Sequence, residues 1–289
     1  MTVSPYTFDV GSWECAVLHD GEATFPVKAF FESTPAPELE RALTAVHLAP
    51  DALPLTINLL LARNESHSVL IDTGIGRDVG GGEGQLLARL ATAGVTPDDI
   101  DVVAITHCHW DHIGGLTDDA GRLIFPDARH VMSATEWALW TSAEALAGMA
   151  PMLERMAREN LTPLRDRIEL LAGGDEVVPG LTFVAAPGHT PGQVAYLMAS
   201  GAQELLHIGD VAHHPLQVLF PEITPEIDLQ PAESVSTRRR LLQRAAERGM
   251  LLLASHFPFP GTGRVVSAGD SWAWRPLPSY GARCSDDEK

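Results

Sequence analysis

Residues 107 to 112 read His-Cys-His-Trp-Asp-His, four groups that can bind a metal within six positions, directly after the apolar run Asp101-Val-Val-Ala-Ile-Thr106. Three imidazoles and a carboxylate crowded at the end of a buried strand would lose hydration or repel one another unless a cation held them. Nitrogen and oxygen donors together suit zinc, with iron, cobalt and manganese as other occupants, because no thiolate spacing selects one metal. On a tight loop His107 and His109 can turn the same way, while Asp111 and His112 lie further along and can face a second position. Cys108 and Trp110 fall between them and should point away. Cys108 reads as a small reduced core residue, having no partner cysteine near it in sequence. The 12 histidines of the chain lie in no low-complexity tract, which argues against a merely solvated histidine-rich loop.

Three further segments repeat the pattern of an apolar run ending in a potential ligand. Leu181-Thr-Phe-Val-Ala-Ala-Pro-Gly precedes His189 and Thr190, and the Pro and Gly residues on both sides of the histidine imply a rigid turn. Glu204-Leu-Leu-His-Ile-Gly leads to Asp210, and Met250-Leu-Leu-Leu-Ala-Ser255 leads to His256. A lone histidine after a strand is usually structural; four strand ends aiming ligands at one place are not.

The ordered set His-x-His-x-Asp-His, Gly-His-Thr, Gly-Asp and Ser-His resembles the metallo-β-lactamase fold hydrolases, and Ile71-Asp72-Thr73-Gly74 matches their upstream Asp-Thr-Gly element. The resemblance spans about residues 55 to 265. It implies a four-layer αβ/βα sandwich with metals at one edge of two facing sheets. It also implies that His107, His109 and His189 bind one ion, that Asp111, His112 and His256 bind another, and that Asp210 bridges them. True zinc β-lactamases lack that bridge. The ending Ser255-His-Phe-Pro-Phe-Pro-Gly-Thr-Gly263 with Trp272 to Tyr280 is similar to the branch containing methyl parathion hydrolase and related lactonases. Where N-acyl homoserine lactonases carry a tyrosine three residues after the bridging aspartate, this chain has His213, followed by His214.

The ligands must be positioned by elements drawn from most of the chain. With 289 residues and 45% hydrophobic content the chain can bury one large α/β core, and ligands spread over positions 107 to 256 favour a single domain, residues 1–289. The chain reads as two similar halves. In the first, Thr56 to Leu61 and Ser68 to Asp72 read as strands around a turn at Arg63-Asn-Glu-Ser66, followed by a helix from Gln85 to Ala93 that stops at Gly94 and the strand to His107. In the second, strands lead to His189 and Asp210. A helix then starts at Pro231, shows an apolar face of Val235, Leu241, Leu242, Ala245 and Ala246, and ends at Gly249 before the His256 strand. Residues 19 to 54, rich in Pro, Ala and Phe, suggest a loop and short helix over the site mouth. Residues 135 to 170 suggest a helical insertion whose Trp137 and Trp140, with Met149, Met152 and Met156, pack into the core or wall a substrate cleft.

A net charge of −18 opposes nonspecific binding to nucleic acid or an anionic membrane, and small neutral or weakly charged substrates fit it better. The N-terminus lacks the basic start and apolar run of a secretory signal, and no segment approaches the roughly 20 apolar residues of a membrane span. Cys15, Cys108 and Cys284 are odd in number and far apart, which suits a reducing compartment, so a cytoplasmic protein is expected. Aromatic residues near the N-terminal segment would permit a homodimer.

Two divalent ions about 3.5–4 Å apart can share a hydroxide that is nucleophilic near neutral pH, so no serine or cysteine nucleophile is needed. Asp111 is the candidate to receive its proton, with Asp210 second, although either carboxylate serves equally as a ligand alone. Asp72 can accept a proton from a ligand histidine's second nitrogen, fixing its tautomer, and Thr190 and Ser255 are weaker candidates for that service. His213 or His214 can protonate a leaving alkoxide or bond a substrate carbonyl. The expected activity is hydrolysis of small esters, lactones or phosphotriesters with two Zn2+ ions. The competing readings are a glyoxalase-type thioester hydrolase, RNA processing, a mononuclear iron oxidoreductase of the same fold, and a non-catalytic metal-binding protein.

Overall fold

A computed structural model describes residues 3–77 and 82–278; Tyr280 of the C-terminal resemblance and Cys284 lie outside them. Among the described residues fourteen strands form two sheets, each built by one half of the chain with its strands in sequence order. The first contains β1 (Tyr6–Val10), β2 (Trp13–Phe25), β3 (Leu53–Arg63), β4 (Ser68–Ile71), β5 (Val102–Ala104), β6 (Arg129–Ser133) and β7 (Ile168–Leu171). The second contains β8 (Glu176–Val178), β9 (Leu181–Ala185), β10 (Val194–Ser200), β11 (Gln203–His207), β12 (Leu251–Leu253), β13 (Thr262–Ala268) and β14 (Ser271–Pro276). The helices are α1 (Val27–Phe30), α2 (Ala36–Ala45), α3 (Leu86–Thr92), α4 (Trp110–Ile113), α5 (Ala134–Thr141), α6 (Ala143–Leu146), α7 (Pro151–Leu161), α8 (Leu216–Leu219) and α9 (Pro231–Arg248).

Successive side chains on a strand point to opposite faces, and the central strands are apolar on both. In β4 and β5, Val69, Ile71, Val102 and Ala104 face inward to a core shared with Phe183, Tyr196, Leu205 and Leu253 of the second sheet. Leu70 and Val103 face outward and pack with Leu90 of α3, Trp140 of α5 and Leu161 of α7. On the far side, Leu206 and Leu252 pack against Leu241, Leu242 and Ala245 of α9. The result is the expected four-layer αβ/βα sandwich. α9 begins with Pro231 in its first turn and ends where Gly249 adopts the left-handed conformation, φ 61°.

β4 and β5 are parallel, as are β11 and β12, and two antiparallel steps through β10 give β9 the same direction as β11. Five C-terminal strand ends therefore open at one edge of the sandwich, and these ends carry Asp72, His107, His189, Asp210 and His256.

Three local expectations change. β5 ends at Ala104 instead of running on to His107, because the Thr106 N–H donates to the Asp72 carboxylate instead of to a neighbouring strand. Residues 19–25 are not loop but the continuation of β2 beyond an irregularity at Asp20, whose carboxylate accepts the N–H groups of Ile75 and Gln85, each at 2.7 Å. The rest of that segment forms two short helices, α1 and α2, with a small core of their own made by Phe31, Leu39, Leu43, Leu53, Leu216 and Ile223. Residues 135–170 are helical as far as Leu164, but Ile168 onward joins the sheet as β7. Parallel β6 and β7 need a crossover rather than a hairpin, and α5 to α7 supply it.

Cys15 and Cys108 are buried and free. No helix among the described residues is long and apolar enough to cross a membrane.

Candidate metal centre

His107 and His109 leave the end of β5, and α4 starts at Trp110, which turns Asp111 and His112 toward a different side. His107 Nε2 lies 3.1 Å and His189 Nε2 2.8 Å from His109 Nδ1, and Asp210 Oδ2 lies 3.3 Å from His189 Nε2. Beside this group, His256 Nε2 is 3.5 Å from Asp111 Oδ2 and 3.1 Å from Asp210 Oδ2, while His112 Nε2 is 3.3 Å from Asp210 Oδ1. Two sets of donors, His107–His109–His189–Asp210 and Asp111–His112–His256, thus each converge within 4.8 Å, and Asp210 touches both. A third overlapping set joins His213 to Asp210 and His256.

The outward nitrogens are committed elsewhere. His112 Nδ1 donates to Asp72 Oδ2 at 2.8 Å, His189 Nδ1 to Asp228 Oδ1 at 2.9 Å, and His256 Nδ1 to the Thr56 carbonyl at 2.9 Å. Thr106 Oγ1 spends its proton on Asp72 Oδ2, so it accepts from His107 Nδ1 at 3.1 Å. With Nδ1 committed outward, Nε2 of each of these four rings is the atom turned into the centre, and those of His112 and His256 face Asp210 oxygens. Buried His112 Nε2 and Asp210 Oδ1 have no hydrogen-bond partner at all. Divalent cations resolve that arrangement, and the donor set of imidazoles and carboxylates fits them.

The electrostatics divide the histidines into two groups. Burial, assisted by the neighbouring imidazoles, pushes His107 and His109 well below the usual histidine range. Burial also works against charge on His112 and His256, but the adjacent carboxylates, Asp210 first, outweigh it and raise both. Burial would raise Asp210, yet His256, His112 and His107 around it hold its carboxyl well below the carboxylate range.

The remaining sequence candidates fall in different places. Thr190 does not serve a ligand ring, since Asp228 already occupies His189 Nδ1. Its hydroxyl donates instead to buried Glu136 Oε2 at 2.7 Å, and Glu136 Oε1 accepts the Cys108 N–H at 3.0 Å. Glu136 therefore ties the loop between His107 and His109 to the loop after His189, and burial raises its pKa. Ser255 Oγ has no partner, because the outward nitrogen of His256 bonds Thr56; Ser255 contributes its carbonyl, which accepts the Asn58 N–H. His214 turns to its own loop, where Nδ1 accepts the Leu216 N–H at 3.2 Å, and burial lowers its pKa to about 4.

His213 is part of the cluster itself. Its Nε2 lies 3.3 Å from Asp210 Oδ2, its ring stacks on His256 at 5.4 Å, and neither of its nitrogens has a hydrogen-bond partner. Phe30 of α1 stands edge-on to it at 5.6 Å, which brings the 19–54 segment to the centre. Trp140 is 2% exposed and stands edge-on to His109 at 5.4 Å, so it supports a ligand ring; Trp137 is half-buried on the same helix. Cys108 lies in the outer core.

Sequence reasoning missed Glu136, Asp228 and Arg238. Each lies far in sequence from the group it serves, and an acidic residue such as Asp228, between Ile227 and Leu229, carries no spacing signal. A surface groove of about 930 Å³ lined by residues including Tyr6, Arg63, Arg248 and Arg264 contains none of the site residues.

The fold recurs in proteins of related chemistry. A solved structure of the hydrolase AbOPH superposes with a TM-score of 0.89 at 26% identity, covering 97% of this chain and 100% of that one. AidC, a dizinc quorum-quenching lactonase solved with a product, N-hexanoyl-L-homoserine, superposes with a TM-score of 0.86 at 24% identity, covering 97% and 99%. A probable metallo-hydrolase of Mycobacterium tuberculosis is 27% identical over 196 residues, which are 56% of this chain and 58% of the relative's length. The family model described as the metallo-beta-lactamase superfamily matches residues 52–256, the stretch that supplies every residue of both donor sets. The chain belongs to the metallo-β-lactamase superfamily.

Proposed function

We propose that the protein is a dinuclear hydrolase of small uncharged esters, lactones or phosphotriesters, acting as a single domain in which both halves of the chain supply ligands. The observation that carries this reading is the sharing of Asp210 between two adjacent donor sets. His107, His109 and His189 would hold one Zn2+ ion, Asp111, His112 and His256 a second, and Asp210 both. Such a pair of ions supplies a Lewis acid for a carbonyl or phosphoryl oxygen and makes a water reactive near neutral pH.

The protein's own groups then have separable tasks. Asp111, whose side chain is 13% exposed against 3% for Asp210, is the more accessible of these two carboxylates and would be the one to take up the proton of an attacking water. Asp210 is enclosed by histidines on several sides and serves as a ligand. Burial lowers the pKa of His213 and keeps its ring neutral, so its unbonded nitrogen can donate to a substrate or leaving-group oxygen. Phe30, edge-on to the His213 ring, offers an apolar surface beside that position.

The likeness to AidC, a lactonase, and to AbOPH, a hydrolase, supports ester-like substrates. The net charge of −18 supports uncharged ones, and an apolar acyl or aryl group gains about 25 cal/mol per Å² buried. The test is kcat/KM of the zinc-loaded enzyme for lactones of graded chain length, aryl esters and phosphotriesters, with a dianionic phosphomonoester as the reference. Preference for the phosphomonoester would overturn the substrate class, and turnover with a single redox-active iron would replace the hydrolase reading.

A further inference from the structure

Arg238 is a fully buried guanidinium in the second turn of α9, and three of its hydrogen bonds go to carbonyls of the loops that precede the helix. Nε donates to the Val211 carbonyl at 2.7 Å, one residue after Asp210 and two before His213. Nη1 donates to the carbonyls of Pro221 at 2.6 Å and Ile223 at 3.0 Å, and Nη2 to Ser234 Oγ at 3.2 Å. The same Nη2 faces Asp228 Oδ2 at 3.6 Å, the carboxylate oxygen that has no hydrogen bond. The other oxygen of Asp228 receives the His189 Nδ1 proton.

The backbone holds this carboxylate in register. The Leu229 N–H donates to the His189 carbonyl and the Gln230 N–H to the Gly188 carbonyl, each at 2.9 Å, so the segment carrying Asp228 runs alongside the His189 turn. Gly188 is required there: its φ is 140°, and a Cβ would overlap Ser234 in the first turn of α9. Asp228 therefore has little freedom to move away from the ring it contacts.

The two donor sets are backed alike. Each has one histidine bonded outward to a buried carboxylate, His112 to Asp72 and His189 to Asp228, while His107 and His256 bond neutral oxygens. An arginine serving only to knit loops would need carbonyls alone; this one also faces a carboxylate whose other oxygen is committed to a ligand ring.

We propose that Asp228, anchored by Arg238, is the positioning residue of the first donor set: it holds His189 with its proton on Nδ1 and Nε2 turned toward His109 and Asp210, so that ion retention in that set, and not in the Asp111–His112–His256 set, depends on it. This rests on the dinuclear reading above. A partner of this kind is worth about 10–100-fold in metal affinity. Through Val211, the same arginine also fixes the start of the loop that carries His213.

The test has a metal-free and a metal-bound arm. In metal-free protein with 15N-labelled histidine, long-range nitrogen–proton spectra should show His189, identified by its loss in His189→Gln, as the Nδ1–H tautomer in the wild type and as a tautomer mixture in Asp228→Ala. Zinc titration against a chelator should show two ions in the wild type, with His189→Ala and His256→Ala marking which binding phase belongs to which set. Asp228→Ala should weaken only the His189 phase by about 10–100-fold, and Asp228→Asn, which keeps an acceptor oxygen, should lose less. Absence of zinc binding by the wild type would refute the metal reading and this proposal with it. A two-ion wild type with both phases unchanged in Asp228→Ala would refute the proposal alone. Equal weakening of both phases, with a lower Tm of the metal-free variant, would assign Asp228 a purely structural role and also overturn it.

Discussion

Asp72→Asn is a sharp test of how the second donor set is held, because it changes one hydrogen without changing shape. Asp72 Oδ1 accepts the Thr106 N–H at 2.8 Å, and Oδ2 accepts both the Thr106 hydroxyl and His112 Nδ1, each at 2.8 Å. In the variant, the amide oxygen must stay on the Thr106 N–H, which can only donate, so the amide NH2 replaces Oδ2. The Thr106 hydroxyl can rotate and accept from it. His112 can remain bonded only by moving its proton from Nδ1 to Nε2, the nitrogen 3.3 Å from Asp210 Oδ1. A proton there displaces an ion. The expected loss is about 10–100-fold in affinity for the Asp111–His112–His256 ion, roughly 1.4–2.7 kcal/mol. The fold itself should lose a comparable amount, about 2 kcal/mol, the value of one hydrogen bond to a charged group, with no added backbone strain, since asparagine tolerates the φ of 60° that Asp72 adopts. Asp72→Ala should be worse for the fold, stranding both Thr106 donors and His112 Nδ1. Chelator-competition zinc titration and urea unfolding of the metal-free protein measure the two quantities separately. Asp72→Asn retaining two ions at wild-type affinity, or losing both equally, would refute the tautomer argument.

Asp210→Ala should lose both ions and nearly all turnover, because the Asp210 carboxylate lies against both donor sets; elemental analysis showing normal metal content would refute the bridge. Gly192→Ala should lower Tm and zinc affinity together, because its Cβ would overlap the backbone of Glu136 on the helix that also presses Trp140 against His109. An unchanged melting curve would show that α5 can shift freely. His130 is buried, and that burial lowers its pKa to about 4. The unfolded chain takes up that proton near pH 6.5 and the folded one only near 4, so stability is full above 6.5 and falls by up to about 3 kcal/mol as pH drops through this window. His130→Leu should flatten that part of the metal-free stability curve, and urea unfolding at pH 7 and 4.5 decides it.

The strand ends, the order of the residues whose donor atoms converge and the two-halved plan were readable in the chain itself. Apolar runs buried on both faces have a local pattern, and each such run terminates in a histidine or aspartate that a core would not retain without a charge to bind. Asp72 was legible for the same reason, standing at the end of β4. Contacts that cross between strand ends were not. Thr190 and Ser255 adjoin ligands in sequence, yet the outward nitrogens they would serve are occupied by Asp228 and by the Thr56 carbonyl, which come from a distant loop and from the other sheet. Glu136 and Arg238 look like ordinary charged residues of amphipathic helices until packing buries them against the ligand loops. His213 and His214 are neighbours with identical side chains, and only the turn of the loop directs one at Asp210 and the other at its own backbone. Residue type and spacing determine which atoms can bind a metal, because coordination needs particular donors close together. Their tautomers, orientation and supporting charges are set by tertiary packing, because hydrogen bonds act over about 3 Å in space, whatever the separation along the chain.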